Sequence, residues 1–428
     1  MQHLAGGARH EETVPGDMTL SVVVPVYRQR QALRHTLASL SAQTAKDFEV
    51  IVVDDGSPEP VGDVVKEFAG RLNVRCERHE SNKGRAAARN TGAAEATGDH
   101  LVFLDADSVA HPNLLGAHKD RHGEGPRVVL GRRIKADWQM AARFGDPTTL
   151  PTEVPPHQDD GRYALEVAKQ WAVDRSPWVF LHAHNFSLPR AVFTEVGGFD
   201  EAFVRWGWED TELGYRLFRH WQREPGRFVW APEAICYHVP HYSDLTANWR
   251  EAKAGLAYLQ TKHEHWEVER LGFRLRDLVL DMPAYAAHLE RLDNGHLTPT
   301  LEAFLPRSAK RLWAGPGADR LRDKPAATLD VHQPRSETNK QLLGLATPWP
   351  DGAFDDVVHW QTWRILTITD LGHLIRESLR LAPTLILAGT TNGNADIERA
   401  LEAAPLTVRQ VANTAAVWAI EVRATASR

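Results

Sequence analysis

The chain has 428 residues, 43% hydrophobic and 25% charged, which suits two to three ordinary globular domains and excludes disorder at large. Its formal net charge of −6 argues against a nucleic-acid-binding surface as its main business, so an anionic ligand needs local positive charge or a metal. Two well-separated cysteines, Cys76 and Cys236, exclude a disulfide framework and a zinc knuckle, and no stretch approaches the roughly 18 apolar residues that span a bilayer.

Residues 1–17 are polar, lack the apolar core of a signal peptide and read as a mobile tail; with so few cysteines, a reducing cytoplasm is the expected setting. From Leu20 short apolar runs alternate with helical patterns. Strands are expected at 21–26, 48–53, 74–76 and 101–104, and helices at 31–40, 61–68 and 85–96. This βαβα order implies an α/β fold with right-handed crossovers, a Rossmann-like, mostly parallel sheet and helices on both faces. The strand at 101–104 runs into Asp105-Ala106-Asp107. Two carboxylates on one short turn repel unless a cation such as Mg²⁺ or Mn²⁺ lies close, and ligands of open α/β sheets collect at such strand ends. A solvated turn is the alternative for a lone Asp-x-Asp.

Further along, a strand is expected at 128–134, a mobile loop at 136–156, a helix at 162–173 and a short apolar piece at 179–188. A helix at 210–221 carries Leu213, Leu217 and Trp221 at helical spacing, a core stripe. A closing strand at 229–239 and a helix at 249–265 follow. The expected division is one domain over 18–265, a helical connector over 266–310 and a smaller α/β domain over 311–428.

The motifs form an ordered series: Val24-Pro25-Val26-Tyr27, Val53-Asp54-Asp55-Gly56-Ser57, Asn82-Lys83-Gly84 with Ala88-Arg89-Asn90, and Asp105-Ala106-Asp107. Gly197-Gly198-Phe199-Asp200-Glu201 and Trp206-Gly207-Trp208-Glu209-Asp210 complete it. Over residues 19–245 the series resembles the GT-A fold glycosyltransferases of family 2. The resemblance implies that Pro25 and Tyr27 frame a nucleobase, while Asp55 accepts the N3 proton of uracil, which favours UDP over CDP. Gly84 and Arg85, with Lys83 and Arg89, would hold ribose or diphosphate near a helix start. Asp105 would contact ribose or a metal-bound water and Asp107 the metal, with His238 as a further ligand in preference to His241. Asp210 matches the base of an inverting transfer, Glu209 would bind a hydroxyl, and Trp206 and Trp208 would stack on sugar.

Each residue also has a structural alternative. Asp-Gly-Ser is good turn chemistry, Tyr27 and the two tryptophans suit a core, and Glu209 and Asp210 favour a helix start through the dipole. The acidic block is closest to chondroitin-polymerase-like and polypeptide N-acetylgalactosaminyltransferase-like enzymes. The latter are retaining, so stereochemistry does not follow from the block. Where the common pattern is Trp-Gly-Gly-Glu-Asp, this chain has Trp208, expected to narrow the donor pocket or reshape the acceptor site. His182 and His184 are expected to be solvent-exposed.

In the last third, residues 347–358 resemble the strand-four region of class I S-adenosylmethionine-dependent methyltransferases. Gly315-Pro316-Gly317 would be a shrunken glycine-rich loop and Asp330 a ribose-binding acid, but the usual three glycines are missing. A degenerate Rossmann-like domain is expected, with strands near Val357, 385–388 and 417–422, serving acceptor docking or formation of a homodimer. The combined expectation is a hexosyl- or N-acetylhexosaminyltransferase. It would use Mn²⁺ or Mg²⁺ and a UDP-sugar, with a glycan, peptide or small-molecule acceptor. Two alternatives stand beside it: a non-catalytic carbohydrate-binding or scaffold protein, and a bifunctional glycosyltransferase and methyltransferase.

Overall fold

The computed structural model describes residues 18–123, 125–160, 162, 176–204, 207–241, 244–271, 275–292, 295–390, 397–401 and 404–425. The chain divides into two compact units, Met1–Ala252 and Lys253–Arg428. The tail expected at 1–17, the helix expected at 162–173 (Arg162 apart) and Trp206 lie outside the described residues.

The first unit is built on an eight-stranded sheet in the order β3-β2-β1-β4-β7-β6-β8-β5. Its strands are β1 (Leu20–Val26), β2 (Phe48–Asp54), β3 (Val74–Arg78), β4 (His100–Leu104), β5 (Ser108–Ala110), β6 (Val128–Lys135), β7 (Asn185–Pro189) and β8 (Phe228–His238). β1 to β4 pair in parallel, as do β6 and β8. β7 and β5 run antiparallel to their neighbours, so the sheet is mixed but rich in parallel pairs.

Both faces of the first four strands are covered, and the covering residues explain why the runs are apolar throughout. Helix α1 (Arg30–Ser41) contributes Leu33, Leu37 and Leu40 to a cluster with Val22, Val24, Val50, Val52, Val102 and Leu104. On the opposite face, a Cβ placed on Gly92 would fall on the Val23 side chain, with Val53 also close. Gly92 belongs to the alanine-rich helix running Arg85–Glu95, where Ala86, Ala87, Ala88 and Ala93 are also buried. Small residues there let the helix axis approach the sheet closely, which larger side chains would prevent.

Residues 136–156, expected to be a mobile loop, are ordered by a core of their own. Met140, Phe144 and Leu150 pack with Ile134, Ile235 and Tyr237. Arg132 also holds Asp159 in a two-bond pair at 2.8 and 2.9 Å. The loop is polar in composition, but it carries enough spaced apolar residues to bury a face of its own.

The second unit holds a seven-stranded sheet, order β11-β10-β9-β12-β13-β15-β14. The strands are β9 (Arg311–Ala314), β10 (Ala327–Leu329), β11 (Asn339–Lys340), β12 (Asp356–Trp360), β13 (Leu385–Thr390), β14 (Leu406–Asn413) and β15 (Val417–Ala424). β11 to β13 are parallel and β15 enters antiparallel, giving a second α/β unit. Within it, the buried Glu269 carboxylate accepts the backbone N–H groups of Leu343, Gly344, Leu345 and Ala346 at 2.6 to 3.0 Å. The glycines of the Gly315-Pro316-Gly317 turn approach protein backbone: a Cβ on Gly317 would lie 2.7 Å from the Gly295 Cα.

Candidate active site

Along the carboxyl ends of β1, β2 and β4 and the facing ends of β6 and β8 runs a cleft of about 980 Å³. Its lining includes Pro25, Tyr27, Asp55, Gly84, Arg85, Asp105, Asp107 and His238. Eight of the ten residues expected to bind nucleotide or metal therefore share one cavity, and Lys83 and Arg89 do not line it. Glu209, Asp210 and Trp208 do not line it.

At one end, Asp55 is almost fully buried and accepts the N–H groups of Lys83 and Gly84, each at 2.9 Å, while His79 Nδ1 lies at 2.7 Å. Those partners use three of about four acceptor positions on a carboxylate and leave one toward the cleft. Gly84 starts the alanine-rich helix at φ 96°, and a Cβ there would lie 2.9 Å from the Val204 carbonyl oxygen. The close approach that glycine permits here is to the chain itself, with a cleft wall formed beside it. Tyr27 is half-buried, with the Arg28 guanidinium 4.9 Å from its ring centre.

At the other end Asp107, His238 and His241 bring one ligand atom each within 4.8 Å of one another. Asp107 Oδ2 lies 3.6 Å from both His238 Nε2 and His241 Nδ1 and accepts from Gln29 Nε2 at 2.8 Å. Asp107 Oδ1 is buried and, among the described residues, has no hydrogen-bond partner. Burial holds His238 below the ordinary imidazole range, which keeps a lone pair on the ring. One carboxylate and two imidazoles beside an orphaned oxygen fit a Mn²⁺- or Mg²⁺-class ion, with imidazole favouring the former. His241, the less favoured histidine in the sequence, stands as near to Asp107 as His238 does.

Arg89 connects this end to the acidic block. Its buried guanidinium donates to Asp105 Oδ1 and to Glu209 Oε1, both at 3.0 Å. Arg89 is thus the structural partner of two acids, the alternative to its reading as a cation near the phosphates. Burial, with Asp210 alongside, pushes the Glu209 carboxyl above the usual range, and Glu209 Oε2 is buried without a partner among the described residues.

Glu209 and Asp210 begin helix Glu209–His220. Asp210 accepts from Thr211 N at 2.7 Å and, through its other oxygen, from Ala183 N at 3.3 Å. Next to Ala183, the His184 carbonyl accepts from Asp105 N at 3.4 Å, so one short segment joins the two acidic motifs. His184 itself is buried, not exposed, and burial holds its imidazole far below the ordinary range. The segment's contacts come from strands distant in sequence, which local pattern cannot show.

Trp208 caps that helix with φ 76°, a left-handed conformation that glycine adopts freely and a bulky residue does not. Its indole N–H donates to the Ala252 carbonyl at 2.8 Å, which anchors the residue in that conformation. The ring is thus tied to the chain, and Trp208 is not among the residues that line the cleft.

A model of glycosyl transferase family 2 matches residues 21–197, and one described as the N-terminal domain of galactosyltransferase matches 175–232. The validoxylamine A glucosyltransferase of Streptomyces hygroscopicus subsp. jinggangensis is 32% identical over 392 residues, covering 79% of this chain and 89% of that protein. The chain belongs to glycosyltransferase family 2. It is a glycosyltransferase of mixed α/β fold. Chondroitin synthase of Escherichia coli is 29% identical over 239 residues, 51% of this chain and 34% of that enzyme. Among solved structures, S. aureus TarS 1–349 in complex with UDP-GlcNAc overlays at a TM-score of 0.43 with 16% identity, covering 68% of this chain and 76% of that one. No helix among the described residues is long and apolar enough to cross a membrane.

Proposed function

We propose that this glycosyltransferase moves a hexosyl group from a UDP-sugar to a hydroxyl of a small-molecule acceptor, with inversion, in the presence of Mn²⁺ or Mg²⁺. The observation that carries the reading is the single cleft shared by Pro25, Tyr27, Asp55, Gly84, Arg85, Asp105, Asp107 and His238. Asp55 keeps an acceptor position for a uracil N3–H, a donor that cytosine lacks. Asp107, His238 and His241 would hold the cation, which when bound supplies Lewis-acid neutralisation of the diphosphate leaving group.

Asp210 receives the proton of the acceptor hydroxyl as its oxygen bonds to the anomeric carbon. The bond from that carbon to the diphosphate oxygen breaks, and UDP leaves with the electron pair. Arg89 orients Glu209 beside the base. The breadth of the likeness supports the choice of acceptor class. The glucosyltransferase named for validoxylamine A is matched over 89% of its length, the chondroitin synthase over 34%.

For the second unit we propose acceptor docking in preference to methyl transfer. In support, its glycine turn lies against the Gly295 backbone, where a bound cofactor would need the approach. The test of the main reading is hydrolysis of a panel of UDP-, GDP- and CDP-sugars with Mn²⁺, Mg²⁺ or EDTA, since hydrolysis reports the donor without an acceptor. Turnover confined to UDP-sugars and dependent on the cation supports it. Metal-independent turnover, a preference for another nucleotide, or no turnover of any donor overturns it.

A further inference from the structure

Arg133 lines the cleft together with Asp107, His238 and His241. Strand pairing fixes its place there: Arg133 faces Cys236 across β6 and β8, and Lys135 faces His238. Residues two apart on a strand share a face, so the Arg133 side chain emerges on the same side as His238.

The nearby carboxylates do not claim its charge. Asp160, whose Oδ2 accepts the Arg133 backbone N–H at 3.3 Å, is neutralised by Arg162 at 2.6 Å. Asp105 is paired with Arg89 and Asp159 with Arg132. Among the described residues, the Arg133 guanidinium makes no hydrogen bond and no ion pair. Its neighbour Arg132 is the opposite case, buried on the other face and fully engaged.

The order of strands gives the cleft a direction. Asp55 follows β2 and Pro25 and Tyr27 lie at the end of β1, the base side; Asp105 follows β4; Arg133 and His238, on β6 and β8, lie beyond. Building on the UDP-sugar reading above, we infer that Arg133 binds the terminal phosphate of the nucleoside diphosphate and stabilises it as leaving group. A planar guanidinium with free donors meets phosphate oxygens in pairs, an arrangement a carboxylate-bound arginine cannot offer. As the glycosidic oxygen takes up the electron pair, charge grows on that phosphate, and a fixed cation there acts more on the departing diphosphate than on the intact donor.

The test is calorimetric titration of the full chain with UDP and with UMP in MnCl₂, comparing the unsubstituted protein with Arg133→Ala and Arg133→Lys. UDP affinity should fall about tenfold or more in Arg133→Ala and recover in part in Arg133→Lys, while UMP affinity, which also reports folding, stays within about threefold. Equal losses for UDP and UMP, or an unchanged UDP affinity, overturn the inference and leave the UDP-sugar reading intact. Failure of the unsubstituted protein to bind either nucleotide overturns that reading and the inference with it.

Discussion

Asp210 holds two backbone N–H groups, one per oxygen, and its Oδ1 also accepts from the Thr211 hydroxyl at 3.4 Å, so Oδ2 is the oxygen that keeps a lone pair for an incoming proton. Asp210→Asn retains size and helix-start geometry but removes the base, so single-turnover transfer should fall by about 10²- to 10⁴-fold while UDP affinity stays unchanged. Near-normal transfer would dismiss Asp210 and leave Glu209 as first candidate. At the other end of the site, His238 and His241 stand equally far from Asp107, so His238→Ala and His241→Ala should weaken Mn²⁺-dependent UDP binding to a similar degree. A loss confined to one of them would remove the other from the ligand set.

The helix Arg85–Glu95 is the element on which the site hangs, because it carries Arg89 between Asp105 and Glu209 and lies directly on β1. Arg89→Met should destabilise the protein by about 3–5 kcal/mol, since it leaves the buried Glu209 without its counter-charge. Chemical denaturation reads this, and a Glu209→Gln partner substitution should restore much of the loss. Gly92→Val drives methyl groups into Val23 and should cost about 1–3 kcal/mol by the same measurement, from overpacking rather than charge. Elements of this kind were legible: β1, β2 and β4 announce themselves as continuous apolar runs because both their faces are covered. Arg133 was not legible. A lone arginine in a strand has no spacing signal, and only the pairing of β6 with β8 shows that Arg133, not Arg132, shares a face with His238. Trp208 was half legible, since the departure from glycine was plain but its positive φ and anchoring bond were not.

Across the whole molecule the acidic flank of stability is set by buried histidines. His118 lies against Asn185 and Ser187, and His122 against Ser187, and burial lowers their pKa values to about 4 and about 2 from 6.5. Below about pH 6.5 the unfolded chain takes up protons that the folded chain refuses, so stability present at neutral pH falls as pH drops toward those folded values. Each such group contributes a loss of up to about 1.4 kcal/mol per pH unit in that window. Melting temperature should therefore decline from pH 7 to pH 5, and His122→Gln should flatten the decline. An unaltered slope in that variant would show that other groups control it.

The central claim is that one cleft binds a uridine diphosphate through a cation held by Asp107 and two histidines. The most direct measurement is UDP affinity by calorimetry, with Mn²⁺ and with EDTA, on the unsubstituted chain and on Asp107→Ala. The account predicts strong Mn²⁺-dependence in the first and its loss in the second. UDP affinity that ignores both the cation and the substitution would contradict it.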